Sequence, residues 1–159
     1  MSISLMDVNV LVSLLDSAHQ HHALAVTWFR NVATVKGWAT CPITENGFIR
    51  IVSHRSYPNM QLTPAMAASS LAKFKSGFPT TQHFWADEVS LTDAELFDLS
   101  ILTGSRQTTD VYLAVLAFRK RGRLVTLDGG IGWRAIRGAN AGLVQNILTL
   151  TTSSSTELV

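Results

Sequence analysis

Four acidic residues stand where the chain has little reason to place charge. Asp7 closes the apolar stretch at residues 3–6, and Asp128 follows Leu124-Val-Thr-Leu127. Glu45 comes three positions after Pro42, and Asp110 follows Thr108 and Thr109 ahead of a long apolar run. A carboxylate at the edge of a buried segment is costly unless something compensates it, because leaving water penalises charge. Taken singly, three of them have plain explanations: Asp110 and Glu45 as helix-start residues, and Asp128 as a turn former before Gly129 and Gly130. Asp7, between Met6 and Val8, resists such an explanation best, although Asn9 is a candidate N-cap for the helix that follows. Four carboxylates at corresponding ends of elements point to one site. Mutually repelling oxygen donors suit a hard divalent cation, Mg²⁺ or Mn²⁺ rather than zinc, and such an ion activates water and stabilises charge on a phosphoryl group. Asn9, Thr109 and Thr126 are candidate partners for the remaining lone pairs of these acids.

The elements that must position the acids alternate between strand and helix. Residues 3–6 predict a first strand, and an apolar helix follows over about residues 9–15. Leu24, Trp28, Val32 and Val35 share one face of a longer amphipathic helix that Gly37 ends. A strand at residues 38–41 leads into a helix that Pro42 opens and that carries Glu45, Phe48, Ile49 and Val52. Residues 54–64 read as a loop, residues 65–74 as a helix opened by Pro64, and residues 83–85 as a short strand. Thr92-Asp-Ala-Glu95 has capping-box spacing and predicts a short helix through Phe97 and Leu99. A helix over residues 110–120, a strand over 124–127 and a last strand over 143–148 complete the pattern. Such alternation argues for an α/β domain with a mostly parallel sheet covered on both faces, and ligands in these sheets gather beyond the carboxyl ends of the strands. The expected domain spans residues 1–148, with residues 149–159 a Ser/Thr-rich tail lacking packing material and expected to be disordered.

With 159 residues, 47% of them hydrophobic, the chain can bury a substantial core, which excludes a fibrous or wholly disordered protein. No apolar run approaches the roughly 20 residues needed to span a bilayer, and no basic segment precedes the first apolar stretch, so a soluble, cytoplasmic protein without membrane contact is expected. Cys41 is the only cysteine; it rules out an internal disulfide or thiolate zinc cluster and reads as a core residue. Net charge is only +2, yet Arg119, Lys120, Arg121, Arg123, Arg134 and Arg137 fall within nineteen residues, a cationic surround suited to a polyanion. His19 and His22 are three apart but lack acidic or cysteine companions nearby, so they are read as scaffold. Trp28, Trp38, Trp85 and Trp133 are read as core or interface rather than base-stacking platforms, with Trp133, flanked by Arg134 and Arg137, the one of the four open to contact with a polyanion.

Five blocks in order carry a family resemblance: Leu5-Met-Asp7-Val-Asn9-Val-Leu-Val; His19-x-x-His22-x-x-Ala25-x-x-Trp28-Phe29; Cys41-Pro-Ile-Thr-Glu45-Asn-Gly-Phe-Ile-Arg50; Gln107-Thr-Thr-Asp110-Val-Tyr-Leu-Ala; and Leu124-Val-Thr-Leu-Asp128. Over residues 3–148 the chain resembles the PIN-domain ribonucleases, and within them the VapC-type toxins of bacterial toxin–antitoxin pairs. The resemblance implies a three-layer α/β/α sandwich with a short, mostly parallel sheet. It implies that Asp7, Glu45, Asp110 and Asp128 bind Mg²⁺ or Mn²⁺ and cleave RNA endonucleolytically. It further implies a homodimer and a cognate VapB-like antitoxin. Gly130 departs from the pattern, since many PIN domains carry a further acid there, which leaves open whether one ion or two are held. A receiver domain would need adjacent acids after the first strand, and a haloacid-dehalogenase-type phosphatase would need Asp-x-Asp-x-Thr; neither is present. The rival reading is a nonenzymatic RNA- or antitoxin-binding module on the same fold.

Overall fold

The computed structural model describes residues 2–150. Strand β1, Ser4–Met6, is buried throughout and occupies the centre of a five-stranded, all-parallel sheet of order β3-β2-β1-β4-β5. Its partners are β2 (Trp38–Thr40), β3 (Gln82–Phe84), β4 (Arg123–Thr126) and β5 (Val144–Asn146). The chain builds outward from β1 to β3, then crosses back to lay β4 on the other side of β1, with Met6 opposite Val125. That reversal is a topological switch point, where a crevice opens beyond the carboxyl ends of the two central strands.

Side chains alternate across a strand, and here the alternation separates two cores. Leu5 and Leu124 pack with helix α6 (Gln107–Arg119) on one face. Met6 and Val125 pack on the other face with α1 (Val8–Leu15), α2 (His22–Trp28), α4 (Pro42–Val52) and α5 (Pro64–Ser76). Helix α6 is apolar on two sides because it faces the sheet with one and the turns around Phe97, Ala135 and Leu143 with the other. The three layers form the α/β/α sandwich that the resemblance implied.

The chain differs from the sequence expectation in three places. Between α2 and α3 (Thr34–Lys36) the helix widens into a π-helical turn, Phe29–Ala33. This rotates the buried stripe, so Phe29 and Ala33 enter the core while Val35 is left 64% exposed. Phe29 then meets Trp38 and Phe78 edge-on, with ring centroids 5.5 and 4.9 Å apart. The capping box at Thr92 starts no helix. The hydroxyls of Ser90 and Thr92 bond each other (2.7 Å), Asp93 Oδ1 accepts from the Glu95 N–H (3.0 Å), and buried Phe97 bridges to Ile136, leaving only a 3₁₀ turn at Leu99–Ile101. Tertiary burial of one aromatic outweighs the local signal there. Finally, the last strand shrinks to Val144–Asn146 between 3₁₀ turns at Ala141–Leu143 and Ile147–Thr149, whose N-caps are Asn140 and Asn146. Buried Ile147 thus anchors a turn that reaches Thr149, and residues 151–159 of the expected disordered tail lie outside the described residues. Among the described residues no helix is long and apolar enough to cross a membrane.

Candidate functional site

The β1–β4 pairing continues one step past Met6, where the Asp7 N–H donates to Val125 O at 2.9 Å, so Asp7 emerges at the switch point. Asp7 itself, not Asn9, is the N-cap of α1, its Oδ1 accepting from the Val8 N–H at 2.7 Å. Its Oδ2 accepts from the Thr126 hydroxyl at 2.8 Å. Asp7 is only 6% exposed. Burial pushes its pKa up, the bonds from Thr126 and Val8 oppose the rise, and the charge of Asp128 adds to it. Freed from capping, Asn9 ties the two strand ends together. Its Oδ1 accepts from the Leu127 N–H (3.1 Å), while its Nδ2 donates to Asp128 Oδ2 (2.9 Å) and to Thr126 Oγ1 (3.2 Å). Thr126 Oγ1 also accepts from the Asp128 N–H at 3.0 Å, so one buried hydroxyl serves both aspartates.

Asp110 reaches the same crevice from the first turn of α6. That helix starts at Gln107, one turn ahead of expectation for Asp110, because the Gln107 side chain accepts from the N–H groups of Thr103 (2.8 Å) and Gly104 (3.3 Å). Burial, then the charges of Asp7 and Asp128, push the Asp110 pKa up to about 6. The three aspartates line one cavity of about 390 Å³.

Glu45 does not join them. It sits in the first turn of α4 with Oε1 accepting from the Thr40 hydroxyl at 2.6 Å and paired with Lys75 near the end of α5. The carboxylate therefore ties α4 to the end of β2 and to α5, and it does not line the cavity. Thr109 is likewise displaced, lining a neighbouring groove with Val8 and Asn46. Asn9 and Thr126 contact the aspartates as the sequence suggested; Glu45 and Thr109 do not.

Two further residues line the cavity, His19, which the sequence reading assigned to the scaffold, and Tyr57, which it did not single out. His22 is scaffold, its Nδ1 2.8 Å from Ser13 O, but His19 faces the site. Tyr57 is fixed by donating to Asp16 Oδ2 at 2.6 Å, beside Asn59 Nδ2 at 2.6 Å and the Ala18 N–H at 2.9 Å. Burial pushes Asp16 up, yet these bonds and nearby His19 hold its carboxyl below the usual range, so the loop is clamped to the end of α1 by a charged acceptor. The cationic surround, in contrast, divides. Arg119 to Arg123 lie at the far end of α6 and the start of β4, roughly 13 Å of helix away from Asp110. There Lys120 pairs with Glu88, and Arg137 Nε donates to Ala94 O at 2.9 Å. Of that run, Arg134 is the residue that shares a cavity wall with Asp128.

Among the described residues no three His, Cys, Asp or Glu side chains close on a point tightly enough to enclose an ion unaided. Three oxygen-donor carboxylates around a cavity of about 390 Å³, with Asp7 and Asp110 pushed up by burial and neighbouring carboxylate charge, nonetheless fit a hard cation that keeps part of its water shell, the usual way Mg²⁺ is bound.

An all-parallel sandwich with acids at its switch point defines a PIN-like domain with an acidic cleft. No family model matches the chain. Ribonuclease VapC39 of Mycobacterium tuberculosis is 42% identical over 142 residues, spanning 89% of this chain and 97% of that protein. Ribonuclease VapC44 of the same organism is 38% identical over 148 residues, 92% and 99% of the two chains. Ribonuclease VapC38 is 40% identical over 129 residues, 81% and 87%. The chain belongs to the VapC ribonuclease family.

Proposed function

We propose that this chain is a metal-dependent endoribonuclease, the toxin of a type II VapBC-like pair, which cleaves cellular RNA in the cytoplasm to inhibit translation. The observation that carries the reading is the convergence of Asp7, Asp110 and Asp128, from three elements distant in sequence, on one cavity at the β1–β4 switch point, where burial and neighbouring carboxylate charge raise the pKa of Asp7 and Asp110. Its relatives bear the name ribonuclease. Asp7, Asp110 and Asp128 would hold Mg²⁺ or Mn²⁺, directly or through water. A bound ion supplies charge stabilisation at the scissile phosphate and a more acidic water. Thr126 and Asn9 orient the carboxylates of Asp7 and Asp128, and the clamped Tyr57 loop walls the cleft. We assign Glu45 to holding α4 in place, since its Oε1 is engaged by both Lys75 and Thr40 and it does not line the cavity of the three aspartates. A homodimer and a VapB-like antitoxin complete the proposal, both on the strength of the family.

Incubating the protein with RNA and Mn²⁺, with and without EDTA, tests it. Cleavage that EDTA abolishes is expected. The placement of Glu45 outside the cleft favours one alternative, a module that binds RNA or antitoxin without turnover. Binding without cleavage at any Mn²⁺ concentration would establish that alternative.

A further inference from the structure

We propose that Trp133 and Arg134 form a subsite that stacks a base of single-stranded RNA next to the phosphate being cut; this rests on the nuclease reading above. A second cavity, of about 350 Å³, adjoins the acidic one, and Asp128 lines both. Trp133 and Arg134 stand in its wall, with the Arg134 guanidinium carbon 4.7 Å from the centroid of the indole. Trp28, Trp38 and Trp85 are buried in the cores, whereas Trp133 is only half-buried. A surface Arg–Trp pair is unremarkable alone. Its position in a cavity that shares Asp128 with the acidic one is what gives it a direction.

The floor between the acids and the pair is Gly129-Gly130. A side chain added at either glycine would meet nothing within 4 Å, so the passage is open, and Gly130 has φ +82°, a conformation that glycine adopts without strain. An aromatic plane joined to a guanidinium is the chemistry that holds unpaired bases, since every base offers a π face and the cation sits against the neighbouring phosphate. Arg134 is also the residue of the basic run whose side chain borders the acidic end of the sheet, the other clustered cations being at the opposite end or tied to backbone. The subsite accepts any sequence through stacking, and stacking on the indole requires a base whose face is free, as in a single strand.

The test uses the full chain carrying Asp110→Asn, which should retain RNA without cutting it, and a short fluorescently labelled single-stranded RNA read by anisotropy. Unlabelled RNA should quench the tryptophan emission of this protein, because the half-buried indole of Trp133 is the one RNA can reach. Trp133→Ala should weaken binding by roughly 5- to 150-fold, the range for loss of one stacked base. Trp133→Phe should restore affinity to within a few-fold, and Arg134→Ala should weaken binding and flatten its salt dependence. Gly129→Leu, which fills the open floor without touching the core, should also weaken binding, so the inference stays testable if Trp133→Ala fails to fold. RNA affinity unchanged in both Gly129→Leu and a folded Trp133→Ala overturns the subsite. If the unmodified chain fails to cut RNA in Mn²⁺ yet shows the Trp133-dependent quenching, the nuclease reading fails and the stacking site stands.

Discussion

Replacing Asp110 with Asn should make the metal-free protein more stable while abolishing cleavage. The Asp110 pKa rises from 3.8 to about 6 on folding, through burial and the charges of Asp7 and Asp128. A shift of that size corresponds to at most about 3 kcal/mol of destabilisation by the ionised form. Asp110 is only partly buried, so solvent screening reduces the expected gain to about 1–2 kcal/mol. Because the folded value lies above the unfolded one, folding favours the protonated acid. The penalty is therefore absent below about pH 3.8, grows as pH rises, and is complete above about pH 6. The Asn side chain has nearly the same shape and never carries the charge. Urea unfolding followed by circular dichroism in EDTA, repeated across that pH range, should show the variant about 1–2 kcal/mol more stable near neutral pH and level with the parent in acid. Saturating Mn²⁺ should narrow or reverse the gap, since an ion bound only by the folded parent stabilises it. An Asn variant that is equally or less stable at neutral pH, or a gap that ignores pH, would refute the reasoning.

Other substitutions probe the supports of the site. Gly47 in α4 lies so close to α1 that an added Cβ would come within 2.6 Å of Val8 Cγ2, so Gly47→Ala should cost about 1–3 kcal/mol in urea melts. The same change should weaken Mn²⁺ binding, because the Val8 N–H holds Asp7. Thr126→Val removes the buried hydroxyl shared by Asp7 and the Asp128 N–H and should cost about 1–3 kcal/mol, whereas Thr126→Ser should retain both bonds. Glu45→Gln keeps an acceptor for Thr40 but loses the charge facing Lys75. It should change stability by less than about 1 kcal/mol and leave Mn²⁺ affinity intact; a loss of affinity matching that of Asp7→Asn would return Glu45 to the ion.

Asp7 and Asp128 were legible in the sequence because strands are short, apolar and end abruptly, so a carboxylate at their carboxyl ends can point to few places. Parallel topology then brought both to one crevice, and Asp110 followed from the start of a buried helix. Glu45 was legible as a helix-start acid but not in its direction. A first-turn side chain can turn toward the crevice or back along the preceding strand, and Lys75, thirty residues on, decides the matter. His19 was read as scaffold with His22 because its place depends on how the turn after α1 is clamped by Tyr57, a contact across 41 residues. The charge run misled in a similar way. Proximity in sequence put Arg119, Lys120, Arg121 and Arg123 beside Asp128, whereas the helix–strand reversal carries them to the far end of the sheet. The failed capping box and the π-helical turn share one cause, since buried aromatics, Phe97 and Phe29, override local helical preference.

The central claim is that Asp7, Asp110 and Asp128 together hold the divalent ion on which RNA cleavage depends. The most direct measurement is the rate of RNA cleavage against Mn²⁺ concentration for the parent chain and for Asp7→Asn, Asp110→Asn and Asp128→Asn, each shown to be folded. Metal-dependent cleavage by the parent is expected, with a loss of about 100-fold or more in every variant. Cleavage that survives EDTA, or parental rates in any one of the three, would contradict that claim.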